Sequence, residues 1–205
     1  TAAFASRGLV LSFFGKSSHA SQPENGHNPA RAISKLIIDI PELTAREDHR
    51  GIVMATVVCV RIGEEAFGTN AGFGQLMLTI RAEFESELDA LDAEICARAR
   101  AYARQDGITN VEVQYRDSFP ETRNTPDAVA AVRKARLECE LPEARWDEPF
   151  RSSEDFGCYT KLTSGALFYI GCGTRHAKLH TREYDFNDEI IEPAVDMMFR
   201  LAQDA

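Results

Sequence analysis

Long apolar runs, paired cysteines and an excess of positive charge are all missing from this chain, and each gap removes a class of function. No apolar stretch approaches the roughly 20 residues that a membrane-spanning helix needs, and no basic-then-apolar leader opens the chain. The five cysteines, Cys59, Cys96, Cys139, Cys158 and Cys172, are odd in number and scattered, with no Cys-x-x-Cys pair. That pattern argues against a disulfide framework and a zinc knuckle, and leads us to expect a reducing cytoplasm. Lys and Arg number 23 against 32 Asp and Glu, for a formal net charge of -9, and the pI is near 5.1. Nucleic-acid affinity is built largely from Lys and Arg, so a small-molecule or peptide partner is expected instead. There is also no initiator methionine at Thr1, which sets the expectation of a piece excised from something longer. Internal repeats and low-complexity segments are absent too.

What is present suffices for a core, since 44% of the 205 residues are hydrophobic. Residues 4–14 carry Leu9, Val10, Leu11, Phe13 and Phe14 and read as a strand that runs into a polar loop. Asn28-Pro29 then opens a helix, with Asn28 as the cap, and Ala32, Ile33, Leu36, Ile37 and Ile40 recur at helical spacing. Residues 52–62 read as a second strand and 74–84 as a third, joined by a turn at Gly63-Glu64-Glu65. A helix over 87–104 has Leu88, Leu91, Ile95 and Ala99 on one stripe, and 111–115 alternates as a closing strand. The order βαββαβ predicts a ferredoxin-like two-layer sandwich, an α/β (α+β) class of fold.

After Tyr115 the texture changes, and we place a domain boundary at about residue 118, giving domains 1–118 and 119–205. Thr125-Pro126 caps a helix to about Cys139, a short extended piece follows around Trp146, and Ser152-Ser153-Glu154-Asp155-Phe156 reads as a capped helix start. Ala166-Leu167-Phe168-Tyr169-Ile170 is an apolar run closed by Gly171-Cys172-Gly173 and predicts a buried strand. The last helix runs from Asn187 to the end. One strand and three helices cannot cover a parallel sheet alone, so this piece is expected to be half of an α/β domain whose other strands lie elsewhere. His180 lies just beyond the carboxyl end of that strand, where open α/β sheets place their sites, so it is a candidate metal ligand; histidines there also serve as hydrogen-bonded structure.

Taken together, the motifs carry a resemblance. Gly15-Lys16-Ser17-Ser18-His19-Ala20-Ser21-Gln22-Pro23 with Gly26-His27-Asn28-Pro29 resembles the start of the lid domain in di-zinc amidohydrolases and exopeptidases, the family of aminoacylases, carboxypeptidase G-type enzymes and indole-acetyl-amino-acid hydrolases. Phe67-Gly68-Thr69-Asn70 and Thr79-Ile80-Arg81 are similar to its lid positions. Ser153-Glu154-Asp155-Phe156, Gly171-Cys172-Gly173 and Leu179-His180 resemble its carboxy-terminal catalytic segment, so the second domain is expected to be the C-terminal fragment of an α/β zinc-exopeptidase catalytic domain.

The resemblance implies a role for each matched residue. His180 would be a ligand of a zinc pair that polarises an amide carbonyl and activates a water, with a glutamate as general base. His19 would reach the partner subunit's site and donate to the oxyanion, or, on the plain reading, would be a solvated loop residue. Asn70 and Arg81 would hold the substrate's carboxylate end or the oxyanion region, although Arg81 equally suits a structural ion pair. Glu154 and Gly171 would line the substrate site, although Glu154 and Asp155 equally suit capping their helix. The implied substrate is an N-acyl amino acid or small peptide, and the implied assembly is a homodimer through the lid.

The family's other metal ligands and its catalytic glutamate come from a segment preceding the lid. No His here is followed two residues later by Asp or preceded two residues earlier by Cys. Glu64-Glu65 imitates the family's Glu-Glu pair but lies in a hairpin turn, where two acids are a hydrated tip. The chain is therefore expected to be part of a zinc-dependent amidohydrolase, inactive as it stands. The other reading is a stand-alone dimerising or small-molecule-binding module.

Overall fold

The computed structural model describes residues 2–144, 149–174, 177 and 181–203. Strands β1 (Ala5–Phe14), β3 (Val53–Ile62), β5 (Phe73–Ala82) and β6 (Asn110–Phe119) form one antiparallel sheet in the order β3-β5-β1-β6. Helices α1 (Ala30–Thr44) and α2 (Glu85–Gln105) connect strands that are not neighbours, which makes the split βαβ arrangement expected from the sequence. A short ribbon of β2 (Ser18–His19) and β4 (Thr69–Asn70) stands outside that sheet.

Alternation along the strands decides which face is covered. Leu9, Leu11 and Phe13 of β1 and Leu76, Leu78 and Ile80 of β5 are buried, and they pack with Ile33, Leu36, Leu88 and Ile95 of the two helices. Each such side chain contributes about 1.5–3 kcal/mol when fully removed from water. The Asn28 side chain caps α1 by accepting from the Ala30 N–H at 2.9 Å. The helix does not stop at Ile40: it continues through Pro41 to Thr44. Proline removes one donor there, but only in the last turn, and Leu43 is buried and anchors that turn.

Beyond β6, α3 (Pro126–Glu138), α4 (Gly157–Thr160) and α5 (Ile191–Gln203) follow. Two expectations are corrected here. Residues 166–170 join no strand ladder among the described residues. Instead the Asn124 side chain does what a neighbouring strand would do, donating to the Leu167 carbonyl at 2.8 Å and accepting from its N–H at 2.9 Å. The helix near Ser153 is only four residues long and has no side-chain cap, because Phe156 occupies the cap position; the Ser153 hydroxyl lies upstream and accepts from Arg81 at 2.8 Å. The extended piece expected around Trp146 lies outside the described residues. Asn187 does cap the final helical segment, accepting from the Glu189 N–H at 3.1 Å.

Candidate functional site

The ribbon of β2 and β4 brings two of the expected site residues together. Ser18 pairs with Asn70 and His19 with Thr69, and the Ala20 N–H donates across to the Gly68 carbonyl at 3.0 Å. His19 is exposed. Its Nδ1 accepts from the Ser21 N–H at 3.1 Å, with the Ser21 hydroxyl 2.7 Å away. A backbone N–H can only donate, so Nδ1 carries the lone pair and the neutral ring holds its proton on Nε2. His19 is thus prepared as a hydrogen-bond donor through Nε2.

Asn70 is half-buried behind it. Its Oδ1 accepts from Asn28 Nδ2 at 2.8 Å, and its Nδ2 donates to Ser18 Oγ at 3.1 Å and toward the Pro23 carbonyl at 3.4 Å. The packing allows no side chain at Gly26, where a Cβ would come within 2.6 Å of both Asn70 Nδ2 and Ser18 Oγ. Gly15 is pressed as closely against the carbonyl of His27. Sequence reading missed Ser18, Gly26 and the second bond of Asn28. Only the density of glycine and asparagine around the motif hinted at them.

Arg81 is not part of this group. The eight steps from Phe73 to Arg81 along β5 span roughly 26 Å at about 3.3 Å per residue, and the His19 ribbon lies beyond the Phe73 end. Arg81 instead donates through Nη1 to the Arg151 carbonyl at 3.1 Å and to Ser153 Oγ at 2.8 Å. Glu154, the next residue, is exposed. Burial, with the charge of Glu154 behind it, pushes the Tyr169 phenol up, and Tyr169 stacks on Phe150 at 4.0 Å. Arg81, Glu154 and the 166–171 segment therefore share the opposite end of the sheet. Gly171 is exposed at the rim of a cleft of about 500 Å³ between α3, this segment and α5, lined among others by Phe168, Arg136 and Met197.

His180 lies outside the described residues. Among the described residues, no three His, Cys, Asp or Glu side chains converge in a way that could hold a metal ion. Glu64 and Glu65 sit in the exposed turn after β3, at Gly63 with φ of 62°. Among the described residues, no helix is long and apolar enough to cross a membrane.

The sheet and its two covering helices define a two-layer α/β module with His19 and Asn70 beyond one end of β5 and Arg81 at the other. Residues 1–107 match the family described as "Peptidase dimerisation domain", and the chain belongs to that family. It is similar to the hippurate hydrolase of Campylobacter jejuni, at 22% identity over 94% of this chain and 50% of the relative. It is also similar to the N-acetyldiaminopimelate deacetylase of Bacillus licheniformis, at 26% identity over 93% of this chain and 50% of the relative. In fold it resembles a protein assigned as an aminohydrolase from methicillin-resistant Staphylococcus aureus, with a TM-score of 0.83 at 18% identity, over 99% of this chain and 53% of that one. The chain spans about half the length of the curated relatives it matches.

Proposed function

We propose that the chain is the lid and carboxy-terminal part of a metal-dependent amidohydrolase that hydrolyses the amide bond of an N-acyl amino acid or small peptide in a reducing cytoplasm. The hydrolase relatives, each about twice the length matched here, support this reading. The observation that carries it is the state of His19, an exposed imidazole whose Nδ1 accepts from the Ser21 N–H and so leaves the ring proton on Nε2. Such a donor stabilises an oxyanion as it forms, and removing one usually costs about 10²- to 10³-fold in rate.

The two ends of the sheet then serve two different clefts. Arg81, Glu154 and Gly171 belong to the cleft of their own chain, with Arg81 directed at the substrate's carboxylate end. His180 is the ligand this chain would supply to a zinc pair, and among the described residues no group of three His, Cys, Asp or Glu could hold the ion. His19 reaches the partner's cleft, with Asn70 supporting its ribbon from behind, because the ribbon lies too far from Arg81 to share a site with it. The homodimer forms along β3, an edge strand with Val57, Val58 and Val60 exposed at 37%, 63% and 41%, beside Ile38 of α1 at 75%. The domains divide at about residue 118.

The test is a His19→Ala substitution in the longer enzyme, assayed on hippurate and on N-acetylated amino acids. The reading predicts a fall in kcat of about 10²- to 10³-fold with bound metal unchanged. Unchanged turnover would remove His19 from the reaction.

A further inference from the structure

We propose that Asn28 is a positioning residue: it fixes which way round the Asn70 amide lies and thereby couples the start of α1 to the ribbon that carries His19. This rests on the reading of His19 as the reacting donor, and it adds a residue that the motif comparison treats only as a helix cap.

Hydrogen-bond polarity fixes both amides. The Ala30 N–H lies in the first turn of α1, where no intrahelical carbonyl can accept from it. It meets an Asn28 side-chain atom at 2.9 Å, and that atom must be the carbonyl oxygen, since two N–H groups cannot bond to each other. The other end of the same amide, Nδ2, is then the one left to face Asn70, at 2.8 Å. It accepts nothing, so Asn70 must present Oδ1. Asn70 Nδ2 is thereby turned toward Ser18 Oγ and the Pro23 carbonyl, both acceptors. One helix N–H thus determines the orientation of two amides in series. The last of them holds Ser18, the neighbour of His19 in β2.

Such a device is needed here because β2 and β4 are two residues each, and a ribbon that short does not hold its register alone. The glycine packing is consistent with the same role, since a Cβ at Gly26 would lie 2.6 Å from both Asn70 Nδ2 and Ser18 Oγ and only glycine leaves that bond its space.

The test uses this chain with two substitutions that keep the cap. In Asn28→Asp the side chain still accepts from the Ala30 N–H and still reaches Asn70, but it cannot donate. In Asn28→Ser the cap is kept, but the side chain is too short to reach Asn70. Both variants are expected to retain α1 by circular dichroism. In Asn28→Asp the Asn70 amide is expected to invert, moving the NMR contacts of its Nδ2 protons from Ser18 toward residue 28. In both, hydrogen exchange of the Ala20 amide, which bonds across the ribbon, is expected to rise about tenfold, while exchange within α2 stays as it was. Unchanged Ala20 exchange and an unmoved Asn70 amide would overturn the proposal. So would loss of α1 in both variants, which would reduce Asn28 to a cap. A His19→Ala enzyme of full activity would remove the catalytic reading and leave these exchange results standing, so the two failures are separable.

Discussion

The lid and the region after β6 are held together in different ways. In the lid, the buried face of the sheet and the apolar stripes of α1 and α2 close on one another, and among the described residues nearly all the large buried side chains belong there. After residue 119, the buried hydrophobic residues among those described are Ala135 and Met197, while Ile191, Val195, Met198 and Phe199 of α5 are exposed. What joins α3 to the 164–167 segment is a row of polar stitches: Asn124 to Leu167, Thr125 to Gly165, and Asp127 to Ser164. A lid that buries its own apolar surface can keep its geometry unaided. A region stitched by hydrogen bonds, with an apolar helix facing outward, fits our proposal that the rest of a catalytic domain covers it.

The widest test of this contrast is to remove one apolar side chain from each region. Phe13→Ala in the lid core is expected to cost about 3–5 kcal/mol by chemical denaturation, whereas Val195→Ala on α5, where the side chain is 59% exposed, should stay within about 0.5 kcal/mol. Comparable losses at the two positions would erase the distinction. A smaller effect concerns the stitches themselves. The Ser164 hydroxyl, with Thr125 and the Ala128 amide adding to it, holds the Asp127 carboxyl down at about 2. Because the folded value lies below the ordinary one, whatever this stitch contributes is complete above about pH 4 and disappears as the pH falls through about 2. The Asp127 carboxyl carbon, followed by NMR, should titrate at about 2 and move upward in Ser164→Ala. An unmoved midpoint would show that the stitch is not made in solution.

Much of the lid was legible in the sequence because two periodicities were written cleanly. Leu76, Leu78 and Ile80 alternate, Ile33, Leu36 and Ile40 recur at helical spacing, and the split βαβ order follows from arranging the segments. The Asn28-Pro29 start was legible for the same kind of local reason. The β2–β4 ribbon was not, since two residues carry no period and its register comes from Asn70, Ser18 and Asn28, which are up to 52 positions apart. Ser153 resembled a cap, but the helix begins only at Gly157, and the Ser153 hydroxyl accepts from Arg81, 72 positions away. The 166–170 run has the composition of a strand and no ladder among the described residues, because composition records what a segment can pair with and not what is there to pair. Of the site, the residue types were visible in the motif. Their division between the two ends of the sheet was a property of β5 as a rigid spacer.

Mixing inactive subunits of the longer enzyme distinguishes a His19 that serves the partner's cleft from one that serves its own. His19→Ala dimers and His180→Ala dimers are dissociated, mixed and allowed to reassociate, with exchange confirmed by mass. If His19 serves the partner's cleft, each mixed dimer has one cleft with both histidines and one with neither, and random exchange restores about a quarter of the unmodified activity. The single variants stay low enough for this to be read, each having lost about 10²-fold or more. If His19 serves its own chain, every cleft in the mixture keeps one defect, and activity stays at the level of the parents, which would contradict the account.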